Sequence, residues 1–247
     1  MGRCLRKAMR ISLAASVLSF VTSAGFAGTI VPQMELWVQV NDNDMIGYTP
    51  AGFENPDGTY TYNGYYEGNG FDLDFDAIGD TDPFINNTIA VTNTSGSTNT
   101  YTFIVVLPTI AITGGSFMGG SIGGSVNDSN FSGAATLASA AGSPVYTGLI
   151  DGVGAPGATM YNDPFTSAPV PFAGGTSILP ATSFGLPGPT FPGPDVAGSI
   201  GIQLKFTLTA GDSAAITSFF IVEPVPAPAA LALLGLAGIA GPRRRRS

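Results

Sequence analysis

Apolar and polar side chains alternate with a period of two in several stretches of the chain, which is the pattern of a half-buried β-strand. In VPQMELWVQV the apolar positions of this alternation are Met34, Leu36, Val38 and Val40. In FDLDFDAIGD, three carboxylates alternate with Phe71, Leu73 and Phe75. A later strand shows the same period at Tyr101, Phe103, Val105 and Leu107. No comparable window between residues 28 and 224 shows a convincing helical period.

Turn residues between such stretches predict how the strands are connected. In TYTYNGYYEG, Asn63 and Gly64 can both adopt positive φ, so a hairpin with a two-residue type I′ turn is expected there. NTIAVTNTSGSTNTYTFIVVLP predicts a second hairpin with its turn at residues 94–98. Further on, Ala210-Gly211-Asp212 separates a strand ending near residue 208 from one over residues 214–222.

Glycine and proline dominate two other stretches. GGSFMGGSIGGSVNDSN repeats a Gly-Gly-Ser unit, but no lysine follows the glycines, so short strands or bends with closely packed backbones are expected rather than a phosphate-binding loop. Residues 143–194 predict long loops laid over a sheet. The whole pattern predicts an all-β fold, an antiparallel β-sandwich of jelly-roll type, with a second small β-domain as the alternative.

The N-terminal residues have the pattern of an export signal. A basic start, MGRCLRKAMR, precedes an apolar run that ends in Gly25-Phe26-Ala27, which predicts a signal peptide over residues 1–27 and cleavage between Ala27 and Gly28. An uncleaved anchor is the alternative, but the run is short for a membrane span. Cys4 is the only cysteine and lies in this segment, so we expect a mature protein without disulfides.

Charge is distributed very unevenly along the chain. Between residues 28 and 224 there are 17 acidic residues and a single basic one, Lys205, a formal net charge of −16. Such a domain is repelled by phosphate backbones and anionic lipids, so nucleic-acid binding is not expected.

The same segment contains no His, Cys or Arg. It therefore lacks the residues of triad hydrolases, zinc enzymes and phosphoryl transferases, and we predict no catalytic residue, no metal ligand and no cofactor. Lys205 is expected to be a surface lysine in an alternating strand. A glycosidase that uses only carboxylates is still compatible with this composition, because it needs just two facing acidic residues. We rank it third among the functional hypotheses, after the two given at the end of this section.

The acidic stretch over residues 72–82 permits two interpretations. Its aspartates could supply oxygen ligands for Ca²⁺, or they could form the solvated face of an amphipathic strand. Ala77 and Pro83 stand where an EF-hand-type loop needs glycine and glutamate, which favours the solvated strand. The Asn41-Asp42-Asn43-Asp44 stretch is likewise expected to be a turn.

Aromatic residues cluster in the predicted tyrosine hairpin. A sugar-stacking platform is one interpretation, and cross-strand pairs that stabilise the hairpin are the commoner one. The residues concerned are Tyr60, Tyr62, Tyr65, Tyr66 and Trp37.

The C-terminal segment has three parts: a proline-rich box at Val225, Pro226, Ala227 and Pro228, an apolar stretch at residues 229–241, and four arginines, Arg243, Arg244, Arg245 and Arg246. A helix over the apolar stretch would be roughly 20 Å long, against about 30 Å of hydrocarbon in a bilayer. The arginines would hold its end on the cytoplasmic side.

This segment, residues 225–247, resembles the PEP-CTERM sorting signal of exported bacterial proteins, with Ala227 in place of the usual glutamate of the box. The resemblance implies recognition by an exosortase, which removes the tail after a transient membrane-tethered stage. It also implies a final place on the cell surface, in the biofilm matrix or in extracellular polysaccharide of Gram-negative-type bacteria. We therefore expect an exported structural or interaction protein; a carbohydrate-binding module is the alternative.

Overall fold

The computed structural model describes residues 31–226, which belong to one compact unit. The predicted signal peptide, its cleavage site at Ala27 and Gly28, Ala227, Pro228, the stretch 229–241 and Arg243 to Arg246 lie outside the described residues. Within the described range the chain forms strands and no helix. Accordingly, these residues include no helix that is long and apolar enough to cross a membrane.

Fifteen strands make up the described fold. They are β1 (Glu35–Val40), β2 (Ile46–Tyr48), β3 (Ala51–Glu54), β4 (Tyr60–Gly68), β5 (Phe71–Asp80), β6 (Phe84–Thr92), β7 (Asn99–Pro108), β8 (Ser116–Asn127), β9 (Leu137–Ser139), β10 (Tyr146–Ile150), β11 (Val153–Met160), β12 (Thr176–Phe184), β13 (Phe191–Gly193), β14 (Ser199–Leu208) and β15 (Ser213–Pro224).

The strands form two sheets in which every pairing is antiparallel. Sheet A has seven strands in the order β11-β10-β14-β7-β1-β2, with β9 beside β10 along β14. Sheet B has eight strands in the order β12-β8-β15-β6-β5-β4-β3, with β13 beside β12 along β8. From β6 onward the chain crosses repeatedly from one sheet to the other.

The inner faces of the two sheets share one hydrophobic core. Buried tyrosines join the sheets across it: the Tyr146 hydroxyl of sheet A donates to the Phe219 carbonyl of sheet B at 2.9 Å, and the Tyr101 hydroxyl donates to the Gly70 carbonyl at 2.7 Å. Each hydroxyl thus finds an acceptor inside an apolar layer, as a buried tyrosine requires. The prediction of an all-β fold is confirmed, and two facing antiparallel sheets fit a β-sandwich.

The alternating stretches form strands with the predicted buried faces. Met34 and the alternate residues of β1 are buried, as are Phe71, Leu73 and Phe75 of β5 and the four predicted core residues of β7. The strands on either side of residues 210–212 are β14 and β15. Asn41-Asp42-Asn43-Asp44 is a turn with Asn41 at a φ of 55°.

Both predicted hairpins are wrong. Asn63 and Gly64 lie in the middle of β4, and the chain reverses at Asn69-Gly70 instead, where Gly70 has a φ of 91°. Residues 94–98 do form a turn, but β6 lies in sheet B and β7 in sheet A, so the two strands do not pair with each other. The same strand-turn-strand pattern has produced a crossing between the sheets.

The glycine-rich and proline-rich stretches are also more regular than predicted. The Gly-Gly-Ser repeat is one continuous strand, β8, between β12 and β15. Its backbone is closely packed as expected, since a Cβ at Gly124 would lie 2.2 Å from the Ala215 carbonyl oxygen. Residues 143–194 contain β10, β11, β12 and β13, which extend both sheets rather than lying over them as loops.

Candidate functional site

The outer face of sheet B carries the predicted acidic strand. Asp72, Asp74 and Asp76 all point outward from β5, as predicted, beside rows of Thr, Asn and Ser on β6 and β15. Same-face residues of a strand are about 6.6 Å apart, which is too far for three neighbours to converge on one ion. Among residues 31–226, no three His, Cys, Asp or Glu side chains form a group that could hold a metal ion.

Asp72 and Asp74 line a shallow, open pocket of about 290 Å³ together with Tyr65, Thr92 and Ser213. The two carboxylates lie side by side along one strand rather than on opposite walls of a cleft. A glycosidase needs its two acids on opposite sides of the scissile bond, so this pocket does not favour that reaction.

Several other aspartates hold loops together. Asp128 is buried, and its carboxylate accepts hydrogen bonds from the backbone N–H groups of Ser132 at 2.9 Å, Gly133 at 2.6 Å and Gly174 at 2.9 Å. Burial opposes its ionisation, but these bonds and one from the Ser132 hydroxyl outweigh burial and lower the pKa of Asp128. Asp128 therefore acts as an anionic clip between two loops.

Asp151 is a second clip of the same kind. It sits in the turn between β10 and β11 and accepts from the backbone N–H groups of Ala197, Gly198 and Ser199 at 2.7 to 3.0 Å. Partial burial of the carboxylate opposes its ionisation, but the three hydrogen bonds favour the charged form more strongly. The pKa of Asp151 is therefore lowered. The pKa of Asp163 is also lowered, by the Ser139 hydroxyl first and then by the Gly142 N–H.

The five aromatic residues considered as a sugar-stacking platform do not form one, because they lie in different places. Tyr60 and Tyr62 are buried in the core, and the Tyr62 hydroxyl donates to the Pro32 carbonyl at 2.8 Å. Burial also raises the pKa of Tyr62 to about 12, with the nearby Tyr60 adding to the effect. Tyr66 packs against Tyr48 with ring centroids 4.3 Å apart. The two exposed rings lie on opposite sheets: Tyr65 on β4 of sheet B and Trp37 on β1 of sheet A.

Trp37 is fixed in place on the outer face of sheet A. Its side chain is 37% exposed, and its Nε1–H donates to Glu35 Oε2 at 3.1 Å. The ring lies over Gly47 of β2, where a Cβ would be only 2.9 Å from Trp37 Cζ3. The absence of a side chain at Gly47 therefore makes room for the ring.

An open polar pocket of about 250 Å³ lies further along the same face. Its lining residues are Gln39, Asn41, Asp42, Thr100, Thr102, Ala140 and Lys205. The Asn41 amide is occupied in the fold, since it donates to Asn99 Oδ1 at 3.0 Å and accepts from the Thr100 N–H at 2.9 Å. Gln39 donates to the Asn43 carbonyl at 2.9 Å, which orients its amide.

Lys205 lies on β14 as predicted, but the prediction of an ordinary surface lysine missed that it lines a pocket with Asp42. The alternation in β1 and β14 does place Trp37, Gln39 and Lys205 opposite their buried neighbours. It does not reveal that β1 and β14 flank the same strand, β7. Only the order of the strands in sheet A shows that these residues are neighbours.

The first two residues of the predicted sorting box are described by the structure. Val225 follows the end of β15 directly, is 41% exposed, and its N–H donates to the Gly115 carbonyl at 3.3 Å. Pro226 is also exposed. The box thus begins at the surface, immediately after a strand of sheet B.

Comparison with known proteins supplies no relative from which a function could be transferred. The sequence matches no protein-family model, and no curated protein is significantly similar to it.

Proposed function

We propose that this protein is an exported, non-enzymatic surface or extracellular-matrix protein whose C-terminal segment is removed by an exosortase. The export machinery and the exosortase are then its processing partners, and the membrane holds it transiently through residues 229–241. The basic start, the apolar run and the three-part tail support this proposal.

The observation that carries the proposal is the position where the box begins. β15 pairs with β6 on one side and with β8 along its whole length on the other, up to Pro224. The next residue, Val225, is exposed. All fifteen described strands precede the box, so removal of the residues after it removes none of these strands, and its exposed first two residues are accessible to a processing enzyme.

The composition of residues 31–226 fits a passive extracellular role. This range has no Cys, so its stability needs no oxidant, and no His or Arg, so carboxylates and one lysine are its only charged groups. A strongly acidic surface keeps such a protein soluble and away from nucleic acid.

We also propose that the two sheets form a sandwich of the jelly-roll type. The crossing from β6 to β7 and the crossing from β14 to β15 lie side by side, because β15 pairs with β6 and β14 pairs with β7. Two crossings wound side by side in this way are what a jelly roll requires.

Mass spectrometry of the mature protein from its native host tests the sorting proposal. We expect a chain that begins at Gly28 and lacks residues 229–247. Retention of the intact tail by protein at the cell surface would contradict the proposal.

A matched pair of variants shows which feature is recognised. Replacing Pro226 and Pro228 with alanine alters the box and should leave the tail attached. Replacing the exposed Glu223, just before the box, with glutamine should leave removal unchanged. Equal processing of both variants would show that the box has no part in recognition.

A further inference from the structure

The outer face of sheet A combines an aromatic ring with a polar pocket, and neither feature takes part in the proposed sorting. Trp37 and Gln39 are two residues apart on β1, so both point outward and lie about 6.6 Å from each other. Gln39 is opposite Thr102 on β7, and Thr102 is opposite Lys205 on β14. Trp37 is therefore one outward position along β1 from Gln39 at the edge of the pocket, and its ring lies over Gly47 on the β2 side, so a ligand in contact with both must span more than one sugar unit.

We infer that this face binds a neutral, hydroxyl-rich glycan, with a sugar ring against Trp37 and sugar hydroxyls in the pocket beside it. A tryptophan ring offers an apolar surface with a polar tip, which suits the mixed surface of a pyranose. Here the ring is positioned before any ligand arrives, by Gly47 beneath it and by the hydrogen bond to Glu35. A ring that is already ordered loses less entropy on binding.

The pocket supplies the hydrogen bonds that sugar hydroxyls need. A hydroxyl group both donates and accepts. Lys205 offers an ammonium donor, Asp42 a carboxylate acceptor, and Gln39 an amide held in orientation by its bond to the Asn43 carbonyl. Both kinds of partner are thus present within one pocket.

Charge selects a neutral glycan over an acidic one. The pocket contains one ammonium and one carboxylate, so its own charge nearly cancels. The domain as a whole carries a formal net charge of −16, which disfavours the approach of a polyanion. Tyr65, an exposed ring on the outer face of sheet B, lines a pocket with Asp72 and Asp74, and no cation lines that pocket.

Fluorescence titration of the full chain tests this inference. The chain has a single tryptophan, so its emission reports the proposed site alone. The probes are cellohexaose, maltohexaose and mannohexaose, with an oligogalacturonate as the acidic counterpart. We expect a saturable change in emission with at least one neutral probe and none with the oligogalacturonate. No change with any neutral probe, or a response to the acidic one alone, would overturn the inference.

Variants then locate the site by calorimetry with the neutral probe that binds. We expect Trp37→Ala to weaken binding by at least about tenfold, since aromatic anchors dominate such contacts. Lys205→Gln, a change at the surface, should weaken it as well and covers the case in which Trp37→Ala fails to fold. The control is Tyr65→Ala, which removes the exposed ring of the opposite sheet and should leave affinity unchanged. Unchanged affinity in Lys205→Gln, or in a folded Trp37→Ala, would refute the site, and tail processing does not enter either measurement.

Discussion

Two regions of this disulfide-free domain are held together by different chemistry. At two of the crossings between the sheets, from β6 to β7 and from β14 to β15, the turn at residues 94–98 and the turn at residues 209–212 meet at the neutral side chain of Asn93. In the long connections after β8, loops are held by ionised aspartates, above all Asp128 and Asp151. Both the Asn93 amide and the aspartate carboxylates form hydrogen bonds with backbone groups that are not paired within a sheet.

Asn93 is fully buried and joins both crossings. Its side-chain amide nitrogen lies within hydrogen-bond distance of three carbonyls, those of Ser97, Leu208 and Thr209, at 2.8 to 3.0 Å. Its Oδ1 accepts from the N–H and hydroxyl of Ser95. Since an amide side chain has no charge to lose, the hydrogen bonds of Asn93 do not themselves depend on pH.

The aspartate clips hold one loop to another rather than one sheet to the other. Asp128 and Asp151 each accept from three backbone N–H groups, and those bonds are strong only while the carboxylate is ionised. The junction of the two crossings thus rests on the neutral side chain of Asn93, whereas the peripheral loops depend on charged carboxylates.

Removing the neutral junction should have the largest effect. Asn93→Ala removes the donor that carbonyls of both crossings share and the acceptor of Ser95, so we expect the free energy of unfolding to fall by about 3 to 5 kcal/mol. Urea unfolding followed by circular dichroism measures the loss.

Asn86→Ala is the matched control for this variant. Asn86 lies on the same strand, β6, but is exposed on the outer face of sheet B. We expect a change within about 0.5 kcal/mol. Equal losses in the two variants would mean that Asn93 does not hold the crossings.

The two crossings also show how far the sequence can predict this fold. Alternation identified β1, β5 and β7 with their buried faces, because a period of two is a local property, and the turn at residues 210–212 separated β14 from β15. It could not tell a hairpin from a crossing, since both read as strand, turn and strand. A buried asparagine at the turn is a possible signal, but its burial is itself a tertiary fact.

Local turn propensity misled at Asn63-Gly64 for a related reason. Burial of Tyr60 and Tyr62 on the inner face keeps β4 extended through that pair, and tertiary packing overrides the turn preference. The candidate glycan site was likewise only half predictable. Trp37 and Lys205 could each be placed on an outer face, but their common neighbour, β7, comes from the sheet order.

Lowering the pH should weaken the loops that the aspartates hold but not the hydrogen bonds of Asn93. We expect this to be the second-largest effect on stability. The pKa values of Asp128, Asp151 and Asp163 are lowered in the folded state, so each carboxylate stabilises the fold above its unfolded pKa of 3.8. That contribution disappears as the pH falls through the lower, folded pKa. We expect urea midpoints to decline below about pH 4, where the unfolded chain binds protons first.

Variants make the acid experiment specific to the clips. Asn93→Ala should give a curve parallel to that of the unaltered protein, displaced downward at every pH. The double variant Asp128→Asn with Asp151→Asn should give a flatter curve, because two of the groups that titrate on unfolding are gone. Relief of repulsion among the other acidic residues is common to all three proteins and cancels in the comparison of slopes. Parallel curves for all three would contradict the assignment of pH dependence to the clips.

The smallest effect is expected from a single clip at neutral pH. Asp128→Asn keeps the shape of the side chain but removes its charge and turns an amide N–H toward Gly133 or Gly174, so the urea midpoint should fall by less than in Asn93→Ala. Because the damage is local, hydrogen exchange at these two glycine amides should accelerate by about tenfold or more while exchange in β6 and β15 is unchanged. Asp57→Asn is the control: its carboxylate accepts from Thr59 two residues away in an exposed turn and joins no second loop, so its midpoint should fall by less than that of Asp128→Asn. If exchange accelerated equally in β6, Asp128 would stabilise the sandwich as a whole, and the division between a neutral architecture and charged loops would fail.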